Sequence, residues 1–272
     1  MPYTKTASRR AFLRAAVLAL AACTGLTLRP RLAQAESNAT SIGWSQWGQP
    51  LMVYRFGDGP VRLFLLGGQH GGPEANTVEL THKLMEYLTL HPNVIPPNVT
   101  VYAMPEGNPD GLFTGSRQYV SGVDPNRNWA SPDWQPDAYD SNGRYIYGLG
   151  GPSPFSERET EALGHWMWSV WPHYTVNYHS AGGFMFGSGD GLSGELSRLY
   201  AEVSGYPLSG GGAPGGGGSR LGYRATGNMN GWARSVGMGG CLIELSNAYD
   251  PEFERNLDAV LASLGRLGKE QG

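Results

Sequence analysis

Charge is sparse in this chain. Asp, Glu, Lys and Arg make up 16% of 272 residues, against 40% hydrophobic residues, which excludes a charge-driven disordered polymer. Cysteine is scarcer still. Cys23 and Cys241 are the only two, too few for the disulfide framework of a small secreted scaffold. Beyond the N-terminus no apolar run reaches the roughly 20 residues needed to span a bilayer. No internal repeat appears, which argues against a solenoid or propeller. Glycine, in contrast, is abundant at 41 residues and points to many tight turns and close backbone approaches.

The first 35 residues read as an export signal. Ser8-Arg9-Arg10-Ala11-Phe12-Leu13-Arg14 resembles a twin-arginine signal, an apolar stretch from Ala15 to Leu28 follows, and Ala33-Gln34-Ala35 offers a small-residue cleavage site. Leu20-Ala21-Ala22-Cys23 also resembles a lipobox, so cleavage after Ala35 and lipidation at Cys23 both stand. The expected location is the periplasm or the cell envelope, with membrane attachment only through a lipidated Cys23. The remaining chain, 36–272, is expected to form one catalytic domain.

Removing residues 1–35 takes away six basic residues and no acidic ones. That leaves 14 basic against 23 acidic residues, a net charge of −9. Such a surface argues against nucleic acid and anionic membrane surfaces as partners. Nothing in the sequence specifies an oligomer.

Strand-like and helix-like runs alternate, which predicts an α/β architecture. Val61–Leu66, Thr100–Met104, Tyr174–His179 and Gly240–Leu245 are nearly continuous apolar runs, as in strands buried on both faces. Helical patterns cover Ala75–Thr89, Ser156–Trp171, Leu192–Gly205, Asn228–Val236 and Pro251–Leu267. Ser156 with Glu159 fits a capping box. Trp129–Gly151 reads as a long ordered loop, and glycine-rich Ser209–Ser219 as a surface loop or a substrate-gating lid.

The chemistry begins at Gly67-Gly68-Gln69-His70-Gly71-Gly72-Pro73-Glu74, where a strand runs into glycines and sets a His and a Glu at the mouth of a helix. Imidazole and carboxylate suit Zn²⁺. A second strand ends in Tyr178-His179-Ser180. Ligands of open α/β sheets gather at the carboxyl ends of strands, so His70, Glu74 and His179 can converge there. Two His and one Glu with a fourth position open to water form a known catalytic zinc set. The other histidines, His82, His91, His165 and His173, lack such a setting and read as surface or packing residues.

Further blocks carry a family resemblance. Asn108-Pro109-Asp110-Gly111, then Arg117, then Gly122-Val123-Asp124-Pro125-Asn126-Arg127-Asn128-Trp129 form one group. The segment from Tyr223 to Trp232 and Gly240-Cys241-Leu242-Ile243-Glu244-Leu245 follow. In this order the blocks resemble the carboxypeptidase A-like zinc metallocarboxypeptidases, and the chain's size is similar to the bacterial branch acting on murein peptides.

The resemblance implies a three-layer α/β/α sandwich around a mixed, twisted sheet. It implies one zinc held by His70, Glu74 and His179, with Glu244 as general base and then proton donor. It implies that Arg117 stabilises the oxyanion, that Asn126 and Arg127 hold the free carboxylate of a peptide substrate, and that Tyr223 closes over it. Seven residues beyond Tyr223, the position that helps read the terminal side chain is Asn230, which alternatively caps the following helix. Two departures stand out. The family spacing from first ligand to glutamate is one residue shorter than His70 to Glu74, and Pro125 replaces the usual apolar residue before Asn126. The expected activity is zinc-dependent exopeptidase hydrolysis beside a free carboxylate. A zinc deacylase of N-acyl amino acids and an inactive peptide-binding module on the same scaffold are the alternatives.

Overall fold

A computed structural model describes residues 38–209 and 221–270. The export-signal and lipobox readings, and most of the glycine-rich Ser209–Ser219 stretch, lie outside the described residues. No helix among the described residues is long and apolar enough to cross a membrane.

Ten strands are described: β1 (Ala39–Trp44), β2 (Pro50–Phe56), β3 (Val61–Leu66), β4 (Val99–Met104), β5 (Ala138–Tyr139), β6 (Tyr145–Ile146), β7 (Tyr174–Ser180), β8 (Phe184–Phe186), β9 (Leu208–Ser209) and β10 (Gly239–Leu245). The helices are α1 (Ala75–Leu90), α2 (Pro109–Thr114), α3 (Arg158–Val170), α4 (Gly191–Ser204), α5 (Met229–Ser235) and α6 (Phe253–Leu267). Eight strands form one mixed sheet in the order β1-β2-β4-β3-β7-β10-β8-β9. Its centre, β4-β3-β7-β10, is parallel.

The parallel centre explains the continuous apolar runs, because both sheet faces are covered. Along β3, Val61, Leu63 and Leu65 enter one core with Leu80 and Leu84 of α1, Leu196 of α4 and Leu264 of α6. Phe64 and Leu66 enter a second core with Leu163 and Met167 of α3 and Trp232 of α5. Helices therefore cover both faces, and the expected three-layer α/β/α sandwich is the observed fold.

Alternation also aims the polar positions. On β7, Tyr174, Val176 and Tyr178 join the first core, so Thr175, Asn177 and His179 face the α3/α5 side. On β10, Cys241, Ile243 and Leu245 do the same, which turns Leu242 and Glu244 to that side. In register, Glu244 lies opposite His179 and Leu242 opposite Asn177.

The predicted capping box does not form. The helix starts at Arg158 with Glu157 at its N-cap and no side-chain cap. Ser156 Oγ instead bonds Glu157 and accepts from Asn128, while Glu159 accepts from Gln46 N at 3.0 Å. Both halves of the box are engaged by other partners: Ser156 by Glu157 and Asn128, Glu159 by Gln46. The Trp129–Gly151 loop is ordered as expected and contains the β5–β6 hairpin.

Candidate active site

The turn after β3 is built on close approach. A Cβ at Gly71 would stand 2.2 Å from the carbonyl carbon of Gly111, and one at Gly72, whose φ is +38°, would stand 2.1 Å from Gly115 O. Only glycine fits at either position, so the turn presses against α2. Pro73 then fixes a short 3-10 turn, Gly72–Glu74, and α1 follows. The turn thus lies within the His70–Glu74 stretch and carries Glu74 at its end.

His70, Glu74 and His179 are buried, and one ligand atom from each lies within 4.8 Å of the others. His70 Nδ1 is 2.9 Å from Glu74 Oε1 and 3.0 Å from His179 Nδ1. His179 Nδ1 is 3.0 Å from Glu74 Oε2. The opposite ring nitrogens are held from behind. His70 Nε2 faces Asp124 Oδ1 at 3.0 Å, and His179 Nε2 faces Gln69 Oε1 at 3.0 Å. Both partners are acceptors, so each Nε2 carries the proton and each Nδ1 presents a lone pair. Two lone pairs and a carboxylate aimed at one another repel unless a cation lies between them. The donor set, its separations and its outer acceptors fit zinc.

Electrostatics distinguish the two imidazoles: burial and Arg117 push His70 down, but the Glu74 and Asp124 charges outweigh them and leave it raised, a proton taking the place between the donors that a cation would fill. Burial pushes His179 down to about 4, so its imidazole is neutral at neutral pH. Burial acts on Glu74 in the opposite sense, but His70, Arg117 and His179 hold its carboxyl well below the usual range. Burial and the Glu74 charge push the Glu244 carboxyl up to about 8, against the pull of Arg117, His70 and Arg127. A raised carboxyl beside a donor cluster has the character of a catalytic acid–base group.

Arg117 reaches the same cluster. Its Nη1 bonds Glu74 Oε1 and its Nε donates to Asp124 Oδ2 at 3.1 Å. Arg127 is buried, with Nη1 on Asn126 O at 2.9 Å and Nε on Tyr139 O at 3.1 Å. Asn126 Oδ1 accepts from Met229 N at 2.9 Å, which ties the Asn126-Arg127 turn to α5. The Arg127 guanidinium carbon stands 5.9 Å from the centre of the Tyr223 ring. Asn230 is not the helix cap: Asn228 accepts from Gly231 N at 2.7 Å and takes that role. The four other histidines are away from the cluster. His173, for instance, accepts from Arg62 N, and His91 stacks on Tyr87.

Three site residues had no assigned role in the sequence reading. Asp124 joins His70 to Arg117, Gln69 backs His179, and Asn177 donates to Gln69 Oε1 at 2.7 Å. Asp124 carried a signal, a carboxylate in the block that holds Asn126 and Arg127. Gln69 and Asn177 carried none beyond being polar beside a histidine. Asp124→Asn removes the charge that anchors both His70 and Arg117. It should weaken zinc binding by about tenfold or more, as read by competition with a chromophoric chelator. Unchanged affinity would show that the Asp124 charge does not support the ligands.

The sequence model of the zinc carboxypeptidase family matches residues 31–191. That stretch contains His70, Glu74, Arg117, Asn126, Arg127 and His179, and stops short of Tyr223, Asn230 and Glu244. Murein peptide amidase A of Escherichia coli strain K12 is 27% identical over 180 residues, 64% of this chain and 66% of the relative. Carboxypeptidase B of Astacus astacus is 32% identical over 151 residues, 48% of each chain. The matches thus span just under two thirds and about half of these relatives. Among solved structures, the murein-tripeptide amidase of Escherichia coli O157 superposes with a TM-score of 0.64 at 23% identity, over 86% of this chain and 93% of that one. Thrombin activatable fibrinolysis inhibitor superposes with a TM-score of 0.71 at 18% identity, over 89% and 72%. At these identities the superpositions speak for the fold, while the family match carries the assignment: the chain belongs to the zinc carboxypeptidase family.

Proposed function

We propose that this chain is a zinc-dependent exopeptidase that hydrolyses an amide bond beside a free carboxylate, acting on murein-derived peptides. The observation that carries the reading is the placement of Glu244. It lies in register with the ligand histidine His179 on the adjacent strand and faces the same side of the sheet. When bound, zinc would polarise the scissile carbonyl and acidify a water molecule. Glu244 takes the proton from the attacking water and returns it to the leaving amine. Arg117 keeps Asp124 through Nε and Glu74 through Nη1, and offers Nη2 to the developing oxyanion. Arg127 and Asn126 bind the terminal carboxylate, for which a guanidinium is the best-matched side chain. Tyr223, stacked near Arg127, covers the bound end. The sequence likeness to a murein peptide amidase supports the murein substrate class. The deacylase and inactive-module alternatives gain no support, since Arg127, Tyr223, Glu244 and Arg117 all surround the donor cluster.

Asn230 is the side-chain reader in this account. Its amide suits a polar or zwitterionic end group such as that of diaminopimelate. A tripeptide ending in diaminopimelate should therefore be cleaved with a kcat/KM at least about tenfold above peptides ending in Lys, Arg or Phe. A clear preference for Lys or Phe would remove the murein assignment and leave the carboxypeptidase reading in place.

The proposal extends to location. The Ser8–Arg14 block supports twin-arginine export to the periplasm or envelope. Arg9→Lys combined with Arg10→Lys should hold the precursor in the cytoplasm, as read by cell fractionation. Undiminished export of the double variant would refute this route.

A further inference from the structure

Asn76 joins the three chain segments that carry the reaction. It is buried at the second position of α1, two residues after the ligand Glu74. Its Oδ1 accepts from Ser180 Oγ at 2.8 Å, and Ser180 follows the ligand His179. Its Nδ2 donates to Asn247 O at 2.8 Å and to Asp250 O at 3.0 Å, in the loop that leaves β10 after Glu244. We propose that Asn76 is a positioning residue for the general base, fixing Glu244 at its working distance from the metal ligands without touching substrate. That role rests on the peptidase reading above and adds to it a residue outside the donor cluster.

Each segment that Asn76 joins is firm at its own end. Thr77 Oγ1 donates to Glu74 O at 2.7 Å and accepts from Gly68 N at 2.9 Å, so the first turn of α1 moves with the ligand turn. Ser180 N donates to Glu74 Oε2 at 3.2 Å, so the serine that Asn76 holds also holds a ligand carboxylate. On the other side, Asn247 Oδ1 accepts from Tyr249 N at 3.0 Å and Asp250 N at 2.7 Å. This side-chain turn shapes the loop whose two carbonyls meet on Asn76. Glu252 Oε2 accepts from Ser246 N at 2.9 Å and closes the loop two residues beyond Glu244.

An asparagine side chain has one carbonyl oxygen and two N–H donors, and all three serve in this tie. The tie also acts in a direction that the sheet leaves open. Ladder bonds to β7 and β8 fix β10 within the sheet. Asn76 reaches the strand end from α1, out of the sheet, on the side of the first core. Glu244 projects to the opposite side, so a tilt of that strand end displaces its carboxylate. The partners of Asn76 do not include Asn126, Arg127 or Tyr223. Its loss should therefore disturb the chemical step and spare the binding of the substrate's terminal carboxylate.

The test is kinetic and uses whichever of the peptides ending in diaminopimelate, Lys, Arg or Phe the wild type cleaves best. Asn76→Ala should lower kcat by about 100-fold, the cost of displacing a catalytic group by about 1 Å. KM should stay within about threefold, and the zinc should be retained, since all three ligands remain. Asn76→Asp keeps the acceptor for Ser180 but sets an anion against two carbonyls, so kcat should fall by about 100-fold or more. Asn247→Ala loosens the same loop from its other end and should lower kcat by about tenfold at unchanged KM. The Asn76→Ala, Asn247→Ala double variant should stay within about threefold of the slower single variant, because both changes break one tie. Asn247 is only partly buried, so its variant carries the test if those at Asn76 fail to fold. Variants that lose thermal stability but keep the wild-type kcat would make Asn76 a packing residue and overturn the positioning role, leaving the peptidase reading in place. So would a raised KM or lost zinc in place of the fall in kcat, or losses that multiply in the double variant. A wild type that cleaves none of these peptides would overturn the peptidase reading, and the role of Asn76 with it.

Discussion

Glu244→Gln should retain the fold and the zinc and lose activity by about three orders of magnitude or more. Glutamine keeps the size and the hydrogen-bonding oxygen but can neither take a proton nor return one. Glu244 sits among apolar neighbours on β10, with Ile243 and Leu245 buried. Burial and the Glu74 charge push its carboxyl up to about 8. A divalent cation at the neighbouring ligands favours the ionised form, so the zinc-loaded protein is the state in which Glu244 serves as a base at neutral pH. Without the metal the carboxyl is already protonated at neutral pH, so glutamine changes little there and the thermal stability of the zinc-free protein should hold. Activity close to that of the unsubstituted protein would remove Glu244 from the mechanism.

His179→Ala should cost stoichiometric zinc altogether. The ligand atoms of His70 and Glu74 would remain, too few for a catalytic zinc site, which uses three protein ligands. The loss also leaves Gln69 Oε1 without its imidazole partner, so the outer support of the site goes with the ligand. Affinity should fall by about 100-fold or more, since loss of an outer-shell partner alone costs 10–100-fold. Metal analysis after dialysis against a weak chelator reads this directly. His165→Ala, at an exposed position on α3, is the matched control and should keep its zinc. Full zinc retention by His179→Ala would show that the ion is held elsewhere.

The parallel centre of the sheet was legible because its strands are buried on both faces and read as unbroken apolar runs. The predicted and observed limits of β3 coincide at Val61–Leu66, and those of β4, β7 and β10 differ by one residue at one end. The edge strand β1 and its neighbour β2 were not legible. Polar and exposed residues interrupt them, and β1 is irregular between Ser41 and Gly43. The donor cluster was legible because each ligand stands at the end of a recognisable strand or turn. Asn228 and Asn230 were harder to separate, since both stand at the start of one helix and only geometry shows which oxygen meets a backbone N–H. Gln69 and Asn177 escaped the reading for a related reason. Their meaning lies in a partner more than 100 residues away in the chain, and no local pattern encodes it.

The central claim is that His70, Glu74 and His179 hold one zinc ion. Anomalous diffraction at the zinc edge, from crystals of the zinc-loaded protein, tests it most directly. The account predicts a single strong peak per chain, bounded by the Nδ1 atoms of His70 and His179 and the carboxylate of Glu74. No peak there, or a peak out of reach of Glu74, would contradict it.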